Sequence, residues 1–131
     1  MASALIALSP TLDLLFGRCV LTAYYGWAAN LHRDLCWMPM KIHPDTLQFF
    51  IEDSIDQRII VPGQSDLLID SPQEELRLLF CHESDIHVDG KDEDLMKRFM
   101  ESEPYSQFRF YSKAELNEPG RNQDEPQKGE V

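Results

Sequence analysis

Between Asp45 and His82 the apolar residues come in short runs, each cut off by aspartate, serine, proline or glycine. The runs TLQFFIED, RIIVPG, DLLID and LRLLFCH follow one another at roughly ten-residue spacing, which predicts an antiparallel meander. In the first of them Leu47, Phe49 and Ile51 alternate with Gln48, Phe50 and Glu52, the period of a strand. The carboxylates Glu52, Asp53 and Asp56 then fall in the turn of a hairpin.

The segment before the meander has a different period. From Ser9 to Arg33 the apolar positions Leu12, Leu15, Phe16, Cys19, Val20, Ala23, Tyr24, Trp27, Ala28 and Leu31 recur at helical spacing for about five turns. Ser9 supplies an N-cap and Pro10 a first helical residue. Gly17, Gly26 and the β-favouring stretch CVLTAYY run against that helix. The connector LCWMPMKIHPD, with two prolines, cannot continue it. Further on, KDEDLMKRFMESEP is a second helix: Leu95, Met96, Phe99 and Met100 form its apolar stripe, acids sit at its start and Lys97 and Arg98 near its end. The strand YSQFRFYS follows. The predicted fold class is α+β: a long N-terminal helix packed on an antiparallel sheet of four to six strands, with a second short helix before the last strand. A single domain is expected over 1–116 and a disordered polar tail over 117–131, because NEPGRNQDEPQKGEV has no large apolar residue before its final valine.

Charge narrows the partners. The chain of 131 residues carries 23 acids against 12 bases, a net charge of −11. Residues 1–44 hold two acids and three bases, whereas residues 45–116 hold seventeen and seven, so the acidity belongs to the folded middle. Phosphates would be repelled over most of such a surface, which argues against direct nucleic-acid or anionic-membrane binding and favours a protein partner with a basic surface. Three cysteines without a CxxC pair, and an apolar start without Lys or Arg before it, suggest a reduced cytoplasmic protein.

The stretch CHESDIHVDG, Cys81 to Gly90, gathers metal-binding residue types. If it is extended, Cys81, Glu83, Asp85 and His87 share one face but are strung along it at about 6–7 Å per step, too far for Cys81 and His87 to reach one ion. The spacing H-E-x-x-x-H is one residue longer than the zinc-protease motif. An overlay on a calcium-binding loop puts Met96 where a bidentate glutamate is needed. A Cys81–His82 nucleophile pair would point to opposite faces of a strand. The simpler reading is a strand end, solvated Glu83–Asp85, and a turn into the second helix capped by Asp89 or Asp92. No catalytic residue, metal or cofactor is predicted.

The composite is small, acidic and α+β, without a catalytic constellation. It resembles bacterial immunity proteins and secretion chaperones in type, on no particular motif. The expected function is therefore non-enzymatic: an acidic binding module of immunity type, or a chaperone or adaptor. Its partner-binding residues would be Glu83, Asp85, Glu93 and Asp94 from the densest acidic run, with Trp37, Met38 and Met40 from the connector. The alternatives are a small metal-dependent hydrolase using Cys81, Glu83, Asp85 and His87 with a distant His32 or His43, and an acidic mimic of nucleic acid.

Overall fold

A computed structural model describes residues 1–17, 19–111 and the backbone of 128–130. The chain opens with two helical segments, α1 (Ala2–Ile6) and α2 (Leu8–Phe16), and then enters β1 (Leu21–Tyr25) and β2 (Met40–Ile42). The helix α3 (Pro44–Asp56) precedes the strands β3 (Leu67–Asp70), β4 (Arg77–Phe80) and β5 (Ile86–Asp89). The helix α4 (Glu93–Glu101) and the short strands β6 (Arg109–Tyr111) and β7 (Lys128–Glu130) complete the described residues. Among them no helix is long and apolar enough to cross a membrane.

One sheet runs β2-β1-β3-β4-β5-β7-β6. Its first five strands are antiparallel throughout, and β7 joins β5 to β6 by parallel pairing. The register stacks side chains in rows. Tyr25, Leu67, Phe80 and Ile86 form one row across the sheet, and Ala23, Ile69, Leu78 and Val88 the next; all are buried. Leu5, Leu8 and Leu12 of the N-terminal helices, Leu47 and Ile51 of α3 and Phe99 of α4 belong to the same core. The other face carries the half-buried row Tyr24, Leu68, Leu79 and His87.

The fold class is α+β as expected, with two corrections to its elements. The long helix from Ser9 to Arg33 does not form. It stops at Gly17, whose positive φ of 59° and amide bond to the Asp13 carbonyl close the last turn. Beyond it CVLTAYY follows its β propensity, with Leu21, Ala23 and Tyr25 inward. Ser9 lies inside α2 rather than at its cap, and its hydroxyl donates to the Pro44 carbonyl at 2.5 Å.

The run TLQFFIED is helical rather than a strand. Pro44 at the first turn and Asp45 beside it favour a helix start. Pro44, Leu47, Ile51 and Ser54 then recur at three and four residues on the buried face, leaving Phe49 outside at 74% exposure. Glu52, Asp53 and Asp56 accordingly lie on α3, and RIIVPG is a connector rather than a strand. Of the tail expected from Asn117, residues 117–127 and 131 lie outside the described residues, while Lys128–Glu130 supplies β7.

Candidate functional site

The strand β4 ends at Phe80, and three residues later the chain has reversed. The Cys81 amide donates to the Asp85 carbonyl at 2.8 Å, and the Ser84 amide donates to the Cys81 carbonyl at 3.0 Å. Ser84 takes the left-handed conformation, with φ of 64°, that closes such three-residue hairpin loops. Cys81 and Asp85 thus stand opposite each other as the next pair beyond Phe80 and Ile86. Being one residue past those core positions, they point to the other face of the sheet, where His87 also points.

This overturns the expectation of ligands strung along one strand. The Cys81 sulfur, an Asp85 carboxylate oxygen and a His87 ring nitrogen lie within 4.8 Å of one another. Asp85 Oδ1 is 3.3 Å from His87 Nε2. That oxygen is enclosed and has no partner at hydrogen-bonding geometry among the described residues. Burial by itself would raise the Asp85 carboxyl, but the proximity and charge of His87, with the Cys81 thiol, outweigh it and hold it below the usual carboxylate range. Glu83, the fourth residue of the expected face, is in the loop and exposed.

A second trio shares the same sulfur. Asp66, Cys81 and His82 also bring ligand atoms within 4.8 Å of one another. Asp66 is buried where the connector after α3 enters β3, and its backbone is tied to the neighbouring turn: its amide donates to the Trp27 carbonyl and its carbonyl accepts from Gly26. Its Oδ1 accepts the His82 amide at 2.7 Å and lies 2.8 Å from His82 Nδ1. The Trp27 ring covers the imidazole at 4.5 Å.

Cys81 Sγ stands 3.7 Å from the same His82 Nδ1, so the two neighbours do not point apart as an extended strand would require. The arrangement is nevertheless unlike a nucleophile relay, which needs the carboxylate on one ring nitrogen and the thiol on the other. Here both face Nδ1. Burial, reinforced by the Asp85 and Asp66 carboxylates, also pushes the Cys81 thiol up to about 12, away from the thiolate a nucleophile needs.

The remaining expected residues are dispersed. Asp85 is only 8% exposed and belongs to the cluster rather than to an acidic surface. Glu93 and Asp94 are exposed in the first turn of α4, at the opposite end of the β4–β5 hairpin from Glu83. Met40 is half-buried in β2 opposite Ala23. Trp37 and Met38 are exposed, and so are Leu35 and Trp27 beside them in the β1–β2 connector. Trp37 is anchored nonetheless: its amide donates to the Tyr25 carbonyl, and its ring lies so close over Gly26 that a side chain there would collide with it. Sequence reasoning missed Asp66 and Trp27 because their roles depend on pairing between segments distant in sequence.

No protein-family model matches the chain, and neither curated proteins nor solved structures gave a match.

Proposed function

We propose that the chain is a non-enzymatic binding protein that holds a partner with a basic surface at the end of the sheet formed by the β1–β2 connector. One observation carries this reading: Trp27, Leu35, Trp37 and Met38 are large apolar side chains left exposed on one connector, between 48% and 61% of each accessible. Exposed tryptophan and methionine are the residue types that binding surfaces over-use. The backbone beneath them is held in place. Besides the Trp37 and Asp66 bonds, Asn30 donates through its amide to the Ile59 carbonyl and through its side chain to the Arg58 carbonyl. A surface presented on a fixed backbone loses less entropy on binding.

The exposed carboxylates Asp34, on the connector, and Glu83, next to the His82 that Trp27 covers, give the apolar surface an acidic border. With a net charge of −11 overall, they would attract a basic partner and speed its approach. The concrete form of the reading is an inhibitor of immunity type; a chaperone or adaptor is the broader one.

The test is to recover the partner from the native host on the immobilised chain and then measure its affinity for two variants. Trp27→Ser/Met38→Ser should weaken binding more than tenfold, since buried aromatic anchors are each worth about 2 kcal/mol or more. Asp34→Asn/Glu83→Gln should slow association and reduce its salt dependence while leaving dissociation nearly unchanged. Wild-type affinity in the Trp27/Met38 variant would refute this surface as the interface.

A further inference from the structure

We propose that the β4–β5 hairpin is a zinc site, with Cys81, Asp85 and His87 as its protein ligands. The donor set is chemically apt. One thiolate sulfur, one carboxylate oxygen and one imidazole nitrogen form a mixed set of the kind zinc accepts, and the charges of thiolate and carboxylate together cancel those of Zn²⁺. The three come from one hairpin whose loop is pinned by the Cys81–Asp85 and Ser84–Cys81 backbone bonds, so the backbone that carries them is set before any ion arrives.

The geometry is close to what the ion requires. Zinc–oxygen and zinc–nitrogen bonds of about 2.0 Å at a tetrahedral angle place the two donor atoms about 3.3 Å apart, and a zinc–sulfur bond of about 2.3 Å places sulfur about 3.5 Å from each. Asp85 Oδ1 and His87 Nε2 are 3.3 Å apart, and no separation within the trio exceeds 4.8 Å. A separation at that limit would have to shorten by about 1.3 Å to reach the tetrahedral value.

A separate observation points into the same space. Asp85 is nine-tenths buried, and its enclosed Oδ1 has no hydrogen-bond partner among the described residues. A buried carboxylate oxygen with no hydrogen bond and only a 3.3 Å ion pair to His87 is under-satisfied, and a cation would satisfy it. The Asp66–His82 half of the cluster differs in degree: Asp66 Oδ1 is hydrogen-bonded at 2.7 and 2.8 Å, whereas Asp85 and His87 are held only as an ion pair at 3.3 Å. That contrast selects the Asp85–His87 half as the ligand side and leaves Asp66 and His82 as its neighbours. On binding, the Cys81 thiol gives its proton to solvent and coordinates as thiolate. Three protein ligands leave one tetrahedral position for water.

The experiment uses the full chain with Cys19→Ser and Cys36→Ser, which removes the other two thiols, after stripping with chelator. Titration with Co²⁺ alone should give a sulfur-to-cobalt charge-transfer band saturating at one ion per chain, and Zn²⁺ should displace it. Zinc at a hundredfold excess over its dissociation constant should raise the Tm by roughly 5–10 °C. Asp85→Asn and His87→Gln should each lower the affinity more than tenfold, Cys81→Ser should abolish the band, and His82→Gln should stay within a few-fold of the parent. Circular dichroism and metal-free Tm check that each variant is folded; should Cys81→Ser fail to fold, the half-exposed His87 still provides the test. The proposal is overturned if the parent gives neither the band nor the thermal shift. It is equally overturned if affinity is lost in Asp66→Asn and His82→Gln but kept in Asp85→Asn and His87→Gln.

Discussion

Gln73 and Glu74 both have φ near 58°, the left-handed backbone that a two-residue type I′ turn demands. They connect β3 to β4, where the Ser71 amide donates to the Leu76 carbonyl and the Glu75 amide to the Pro72 carbonyl. Neither residue favours that conformation, which costs an ordinary side chain about 1–2 kcal/mol. Gln73→Asn/Glu74→Gly should therefore stabilise the protein by about 1 kcal/mol, offset in part by the greater freedom of glycine in the unfolded chain. The loss of the exposed Glu74–Lys91 pair, 3.9 Å apart, should matter little. Urea denaturation measures the difference; a net loss of stability would show that Glu74 contributes more through its side chain than its backbone costs. Single residues also explain why the Cys81 cluster was hard to read beforehand. The chain reverses because Ser84 accepts a left-handed conformation, and serine does not announce that as glycine or asparagine would.

Among the elements, the junction between β5 and α4 is tightly constrained. Gly90 has φ of 142°, and a Cβ built there would sit 2.3 Å from the Glu75 carbonyl oxygen. The next two residues hold that junction to the β3–β4 connection, since the Lys91 and Asp92 amides donate to the Glu74 and Glu75 carbonyls. Gly90→Ala should cost more than about 2 kcal/mol, because backbone would have to move on both sides. A thermal melt within a degree of wild type would show that the contact yields. The α4 helix was legible in the sequence, with its cap narrowed to Asp89 or Asp92: it is Asp92 that accepts from the Asp94 and Leu95 amides, and Leu95 and Phe99 are the buried positions. DLLID and LRLLFCH were equally legible as β3 and β4, because tight local turns bound both. TLQFFIED was not, since Leu47 and Ile51 satisfy both a two-residue and a four-residue spacing. The choice fell to Pro44 and to the packing of α3 against α2, which no short window contains. For the same reason the hairpin carrying Cys81 and Asp85 hid the site, since its ligands meet only after the chain turns.

At the scale of the whole molecule, Tyr105 joins the two ends of the described core. It is fully buried, stacks on Phe99 with ring centroids 4.3 Å apart, and donates its hydroxyl to the Ala4 carbonyl at 2.6 Å. Burial pushes its phenol above the ordinary value of 10.0. A folded-state value raised in this way contributes stability that is complete below the unfolded value near 10 and is lost as pH climbs beyond it. Tyr105→Phe should cost about 1 kcal/mol near neutral pH, through the lost hydrogen bond, yet lose less stability than wild type between about pH 9 and 11. Parallel losses in the two proteins over that range would place the alkaline sensitivity elsewhere, Tyr25 being the other tyrosine that burial raises. The sheet itself has a last consequence, at the edge formed by β2. That strand is three residues long, with Lys41 at its centre, Pro39 immediately before it and Pro44 two residues after. Proline has no amide hydrogen to offer, and a lysine on so short an edge strand discourages pairing with another strand. An arriving chain finds almost no ladder to extend along this side. Recognition beside it must be written in side chains, and a partner need not bring an extended strand of its own to be held.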